Sequence, residues 1–329
     1  MNDRLIDRFG RVHNNLRISV TDRCNLRCTY CMPEEVTFLD KGELLTFEEI
    51  ARFVEIVAPL GIDKIRLTGG EPLLRKNLDR LVRMLVAIPG IKDVGLTTNG
   101  ITLEDHAQSL WDAGLRRINI SLDTLDEERF RLISRRPGVD RVIAGILAAK
   151  KVGFDPVKIN GVAIRGTTEE DIVPLCRFAR EHGLEMRFIE YMPIGADDWE
   201  RSKVLYAYEI LEKIESEMGP LVPAADYDAR NPAMDFDYAD GSGRVGIIAS
   251  VSRPFCSSCN RIRLTAEGKL RNCLFALEET DVKSILRGDG DSDMVRAKVR
   301  ESVASKWEGH EINSARFIKP LRTMHSIGG

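Results

Sequence analysis

The chain has 329 residues, a formal net charge of −3 and a pI near 6.1, which gives no support to nucleic-acid or membrane binding as its main role. Hydrophobic residues make up 43% and charged residues 30%, as in an ordinary soluble globular protein with room for one large domain and a smaller one. The amino terminus, Met1-Asn2-Asp3-Arg4-Leu5, lacks an apolar leader core, and no stretch approaches a membrane span. Seven cysteines, an odd number, read as metal-binding thiols of a reducing compartment, the cytoplasm, rather than as a disulfide framework.

In chain order, the first two-thirds alternates short β-rich runs with longer amphipathic ones. The predicted strands are 16–21, 64–68, 93–98, 117–123, 157–164 and 186–192. Helices separate them, with capping-box starts at Thr46-x-x-Glu49 and Thr168-x-x-Asp171. Strand, helix, strand repeated in this way implies a parallel sheet with right-handed crossovers. Read with period two, one face of strand after strand is polar: Arg17, Ser19 and Thr21; Arg66 and Thr68; Arg117, Asn119, Ser121 and Asp123; Lys158 and Asn160. A fully packed parallel sheet is apolar on both faces. The pattern therefore fits an α/β fold built as a partial, incompletely closed (βα)6 TIM-like barrel with a polar, ligand-holding lumen.

Between the first strand and the first helix lies Cys24-Asn-Leu-Arg-Cys28-Thr-Tyr-Cys31. Three thiolates this close, with no fourth Cys or His nearby, do not make a closed structural zinc site. A cubane cluster on three thiolates leaves one iron open. The run matches the Cys-x3-Cys-x2-Cys signature of radical-SAM enzymes, whose S-adenosylmethionine chelates that iron. Thr68-Gly69-Gly70-Glu71-Pro72 and Thr97-Thr98-Asn99-Gly100 close the second and third strands, where barrel enzymes place their active sites. Glu71 there could accept a hydrogen bond from an ammonium group.

Beyond about residue 195 the alternation stops, so residues 1–195 read as the barrel and 196–329 as a small C-terminal α+β domain. Residues 226–243 read as a long polar loop; strand-like runs follow at 244–252 and 261–265, with a turn at Glu267-Gly268-Lys269. Cys256, Cys259 and Cys273 frame this hairpin as a second triplet. A second three-ligand iron–sulfur cluster is the leading reading. Zinc is the alternative and would need a further ligand such as the distant His310 or His325. Arg261, Arg263 and Arg271, with Arg17, Arg66 and Lys158 of the lumen faces, make a cationic chamber suited to a polyphosphate. Cys176 reads as a core thiol, and Asp289-Gly-Asp-Ser-Asp293 as an acidic loop capping a helix rather than a calcium site.

On these motifs, together with the terminal Gly328-Gly329, the chain resembles the GTP 3′,8-cyclases, radical-SAM lyases that open molybdenum-cofactor biosynthesis. The resemblance implies that Cys24, Cys28 and Cys31 hold a [4Fe–4S] cluster that cleaves S-adenosylmethionine, bound by Tyr30, Gly70, Ser121 and Met192. It implies that Cys256, Cys259 and Cys273 hold a second [4Fe–4S] cluster facing the guanine. GTP would be held by Arg17, Arg66, Thr97, Lys158, Arg261, Ile262 and Arg263, with Arg17, Gly328 and Gly329 needed for catalysis. The implied reaction removes hydrogen from ribose C3′, joins C3′ to guanine C8 and yields (8S)-3′,8-cyclo-7,8-dihydroguanosine 5′-triphosphate. An external one-electron reductant and a downstream pterin-forming enzyme are the implied partners; a homodimer is compatible with the resemblance, and the sequence leaves the oligomeric state open. The competing reading is another radical-SAM enzyme with an auxiliary cluster, such as a peptide modifier.

Overall fold

The computed structural model describes residues 4–195, 197–226, 228 and 230–328. Strands β1 (Asn15–Ser19), β2 (Lys64–Thr68), β3 (Asp93–Thr98), β4 (Arg117–Ser121), β5 (Val157–Ala163) and β6 (Glu185–Glu190) lie side by side in that order, all parallel. The crossovers are α1 (Phe47–Val57), α2 (Leu78–Val86), α3 (Leu103–Asp112), the pair α4 (Glu127–Ser134) and α5 (Val139–Val152), and α6 (Ile172–Glu181). The outward strand residues are apolar and fully covered: Leu16 and Ile18, Leu96, Ile120, Ile159 and Phe188 are at most 2% exposed. Each such side chain contributes roughly 1.5–3 kcal/mol by leaving water. The alternating polar residues face the lumen instead.

Local chemistry sets the helix starts. At α1, Thr46 Oγ1 accepts from the Glu49 N–H and the Glu49 carboxylate accepts from the Thr46 N–H, the reciprocal cap expected from the sequence. The second expected box does not form. Thr168 Oγ1 instead donates to Val162 O and accepts from the Ile164 N–H, and Asp171 accepts from Thr124 Oγ1. Both side chains are nearly covered, so they satisfy buried strand-end and loop groups rather than a helix end. Asp291 caps a later helix by accepting from the Met294 N–H, as expected for that acidic loop, and Cys176 is buried in the core.

The last third comprises α7 (Ala207–Met218), β7 (Leu221–Pro223), β8 (Met234–Tyr238), β9 (Arg244–Ile248), β10 (Arg261–Leu264), β11 (Lys269–Arg271), β12 (Thr280–Asp281), α8 (Lys283–Arg287), α9 (Ser292–Ala304) and α10 (Met324–Ile327). Its strands extend the barrel sheet at both edges. β9 adds parallel to β6 and β10 adds parallel to β1, giving the order β12-β11-β10-β1-β2-β3-β4-β5-β6-β9-β8-β7. The sheet stays open between β12 and β7, and the turn at Gly268 makes β10 and β11 an antiparallel hairpin. Among the described residues no helix is long and apolar enough to cross a membrane.

Glu190 shows what holds the β6–β9 edge together. Fully buried, its carboxylate accepts from the backbone N–H of Ala207 (2.8 Å), Val251 and Ser252 (both 2.7 Å), and from Ser252 Oγ. It joins the end of β6 to the start of α7, where the helix dipole favours an anion. Glu190→Gln turns one acceptor into a donor facing donors. The expected result is a loss of about 2–4 kcal/mol in stability, read by urea unfolding of the metal-free chain; an unchanged midpoint would show the site relaxes around an amide.

Candidate active site

A cavity of about 310 Å³ occupies the lumen, within the range of small-molecule sites. Strand register fills its wall: Arg17 lies beside Arg66, and Thr97 beside Asn119, and all four line the cavity. The Arg66 guanidinium crosses Gly95, where a Cβ would stand 2.9 Å from Arg66 Cζ, and donates to Leu96 O and Asn119 Oδ1, both at 3.1 Å. Burial, then Arg117 and Arg17, push Arg66 down to about 9; burial, then Arg261, push Arg17 down to about 10. Cations crowded in this way are stabilised by an anion between them. Asn15 Oδ1, Asn160 Oδ1 and the Nε and Nη2 of Arg261 are buried without a partner, and their residues line the same cavity.

The first cysteine triplet forms the cavity wall at the carboxyl ends of the strands. Cys24, Cys28 and Cys31 are free thiols in the loop after β1. Burial raises all three, Cys24 to about 11, Cys31 to about 12 and Cys28 well above the ordinary range; the neighbouring thiols add to the last two and Glu71 to the first. Thiols held so reluctantly as thiolates suit a cation that would neutralise them together. Gly69 and Gly70 press against the same loop: a Cβ on Gly70 would meet Arg23 O at 2.4 Å, so only glycine fits. Tyr30 Oη donates to Asp123 Oδ2 at 2.6 Å, and Tyr30, Gly70, Ser121 and Met192 all line the cavity. Glu71 departs from expectation. Its Oε1 accepts from Leu73 N–H (2.9 Å) and Thr98 Oγ1 (2.7 Å), its Oε2 from Asn99 N–H (2.6 Å). It ties the loops after β2 and β3 together off the cavity wall rather than offering a free acceptor to an ammonium.

Cys256, Cys259 and Cys273 do not line the cavity, but Asn260 and Arg261 of the same segment do, Arg261 beside Asn15 at the start of β1, the end of the strand away from the first triplet. Burial alone would raise Cys259, but Arg261 and Lys306 overcome it and hold the thiol at about 6. The main-chain amide of His310 faces Cys256 and that of His325 faces Cys31. The His310 ring is engaged by Ser250 O at 3.0 Å. His310 thus sits beside the second triplet through its backbone, while His325 meets Cys31 through both its amide and its ring.

Not all six expected cations converge. Arg17, Arg66 and Arg261 line the cavity; Lys158, Arg263 and Arg271 do not, nor does the expected substrate contact Ile262. Lys158 is paired with Glu185, the residue that the β5–β6 register places beside it. Arg271 is a structural side chain, 2% exposed, bonded to Glu279 and to the carbonyls of Leu274 and Ala276. Arg263, buried, donates to the Gly328 carbonyl; Gly329 lies outside the described residues. Sequence reasoning missed Arg187, which lines the cavity beside Asn160 and is held by Asp235 at 3.2 Å. Its parity with Glu185 on β6 and the glycine opposite, Gly246, were the available signals.

Among the described residues, no three His, Cys, Asp or Glu side chains converge closely enough to hold one metal ion. Thiolates that each bind a different iron of a cluster need not share a single point. Two half-buried triplets without a fourth thiol, the second with Cys259 beside the cations Arg261 and Lys306, fit two such clusters in donor chemistry.

Residues 18–179 match the model of the radical SAM superfamily, and residues 184–312 that of Molybdenum Cofactor Synthesis C. A GTP 3′,8-cyclase of Rhodopirellula baltica is 49% identical over 99% of this chain and 92% of its own length. The chain belongs to the GTP 3′,8-cyclase family. Another member, from Thermodesulfovibrio yellowstonii, is 43% identical over 98% of this chain and 99% of its own. The fold is also that of Streptococcus suis SuiB bound to S-adenosylmethionine, with TM-score 0.61 and 15% identity over 94% of this chain and 77% of that one. Native anSMEcpe with bound AdoMet superposes equally well, with TM-score 0.61 and 16% identity over 91% and 82% of the two chains.

Proposed function

We propose that the chain is a lyase that converts GTP into (8S)-3′,8-cyclo-7,8-dihydroguanosine 5′-triphosphate in molybdenum-cofactor biosynthesis. The observation that carries this is one lumen bounded by a cysteine triplet on one side, Arg261 of the second cysteine segment on the other, and Arg17 and Arg66 between. In this reading Cys24, Cys28 and Cys31 hold one [4Fe–4S] cluster, with S-adenosylmethionine against Tyr30, Gly70, Ser121 and Met192. Cys256, Cys259 and Cys273 hold the other. With its S-adenosylmethionine, the first cluster supplies the hydrogen-abstracting chemistry that protein side chains lack.

The chain's own residues bind, aim and shield. Arg17 and Arg66 take the phosphates, relieving their mutual repulsion, with Thr97 and Arg261 along the rest of the substrate; Arg263 reaches it only by releasing the Gly328 carbonyl. Lys158 reaches it only by exchanging Glu185. The wall of buried strands and α10 keeps water from the reacting carbons. An external one-electron reductant, a cytoplasmic setting and a downstream pterin-forming enzyme belong to the same reading, and a homodimer is compatible with it. A peptide-modifying radical-SAM enzyme would share the fold, but crowded buried arginines favour a polyphosphate over a peptide.

Anaerobic incubation of the reconstituted chain with GTP, S-adenosylmethionine and reductant should give the cyclic nucleotide, identified by mass spectrometry and NMR. Arg17→Ala or Arg66→Ala should weaken GTP binding or turnover by about tenfold or more, since each charge-assisted phosphate contact is worth roughly 1.5–3 kcal/mol. Absence of the product, or normal GTP handling by both variants, overturns the assignment.

A further inference from the structure

Lys306, just beyond the end of α9, is 3% exposed. Its ammonium donates to Arg261 O at 2.8 Å and Asn272 O at 2.6 Å, and stands 3.6 Å from Cys259 Sγ. Asn272 directly precedes Cys273, and Arg261 follows Cys259 by two residues. One buried side chain therefore grips the backbone beside two of the three cysteines and touches a thiol itself. Arg11 braces the third from the other side, donating to Cys256 O at 2.7 Å, Glu308 O at 2.6 Å and Trp307 O at 2.6 Å.

The two cations differ in what neutralises them. Arg11 has a carboxylate of its own, Asp7, whose Oδ2 accepts from Arg11 Nε at 2.6 Å. The partners of Lys306 are two carbonyls and a thiol. An ammonium held away from water is costly unless a counter-charge accompanies it. Of its three partners only the sulfur can carry a full negative charge. A structural tether between two carbonyls needs no formal charge, so the cation needs a different explanation.

We propose that Lys306 is the electrostatic partner of the iron–sulfur cluster held by Cys256, Cys259 and Cys273, a positioning residue whose ammonium donates to the Cys259 sulfur and makes that cluster easier to reduce. This rests on the reading of the second triplet as a cluster site. The physical basis is general: net charge nearby and hydrogen bonds to the cysteine sulfurs set the potential of such clusters, and groups beyond the ligands tune the metal. A positive charge buried beside one ligand stabilises the form carrying one more electron. Arg11, already neutralised by Asp7, contributes position more than charge.

The test uses the full-length chain carrying Cys24→Ala, Cys28→Ala and Cys31→Ala, so that only the second triplet can load. Lys306→Met, Lys306→Gln and Lys306→Arg are compared in that background by iron and sulfide content and by an EPR-monitored redox titration. At the parent's midpoint, Met and Gln should lower the ratio of reduced to oxidised cluster about tenfold, a shift of about 59 mV for one electron, and Arg should restore most of it. Should Met fail to load, Gln carries the comparison, because it keeps a donor for the carbonyls without the charge. Loading lost in both neutral variants but kept in Arg also supports the charge role. A native midpoint in the neutral variants, or equal loss of iron in all three with a native midpoint in what remains, makes Lys306 only a tether and overturns the proposal. If the parent itself holds no iron–sulfur cluster, the cluster reading has failed before Lys306 is touched.

Discussion

Alanine at Cys24, Cys28 and Cys31 should remove one of two clusters and abolish all cleavage of S-adenosylmethionine, while the fold and the other cluster survive. The loop does not depend on its thiols for its path. Arg27 N–H donates to Ser134 O and Thr29 N–H to Ile133 O, each at 2.9 Å, and the Arg27 guanidinium holds Cys24 O at 2.7 Å. What the thiols supply is the donor set, three sulfurs that burial keeps from ionising until a cation neutralises them. The complementary replacement of Cys256, Cys259 and Cys273 should remove the other cluster and stop cyclisation, even where some uncoupled cofactor cleavage persists. Iron and sulfide analysis with chromatography of 5′-deoxyadenosine separates the two losses. Stoichiometric zinc at the C-terminal triplet after anaerobic reconstitution would sink the two-cluster assignment, as would cofactor cleavage without the first triplet.

Gly328→Val should cut turnover by about tenfold to a hundredfold with both clusters and thermal stability retained. α10 carries the chain end back into the barrel, with Ile327 buried and His325 lining the cavity. Gly328 then turns at φ 72°, and an ideal Cβ there would lie 2.4 Å from Thr68 Oγ1 and 3.2 Å from Ser19 Cβ. A β-branched residue held at such a φ costs about 1–3 kcal/mol before any clash, and each 1.4 kcal/mol unseats the tail about tenfold. Unseating also releases Arg263, whose guanidinium is spent on the Gly328 carbonyl. The tail contributes no strand to the sheet, so stability should hardly move. Deleting Gly328 and Gly329 should act at least as strongly. Full product formation by either variant would show the seat is not used in turnover.

The sequence was most legible where the signal is local or periodic. Alternation of polar and apolar residues located six parallel strands, two of them, Lys64–Thr68 and Asp93–Thr98, at their observed bounds. Pleating alone sends alternate residues to opposite faces, so a polar lumen could be read without knowing any partner. The Thr46 cap was legible for a similar reason, since donor and acceptor lie three residues apart. Both cysteine triplets were legible as chemistry because three-ligand spacing is rare without a use.

Tertiary structure alone decided which polar groups reach the lumen and which are consumed on the way. Lys158 on β5 and Arg66 on β2 both point to the lumen face of the sheet, yet the β5–β6 register sets Glu185 beside one, while the β2–β3 register sets Gly95 beside the other. A carboxylate captures the first cation; an absent side chain lets the second cross into the cavity, bonded to the neutral oxygens of Leu96 and Asn119. Arg271 met Glu279 across a turn, Glu71 met Asn99 across a crossover, and Lys306 met two carbonyls more than thirty residues away. The C-terminal strands joined both edges of the barrel rather than forming a sheet of their own, because β1 and β6 each had an unpaired edge to satisfy. Composition and spacing fix what a residue can do. Long-range pairing, set by burial and by the need to satisfy every hidden donor and charge, decides whether it remains free to do it.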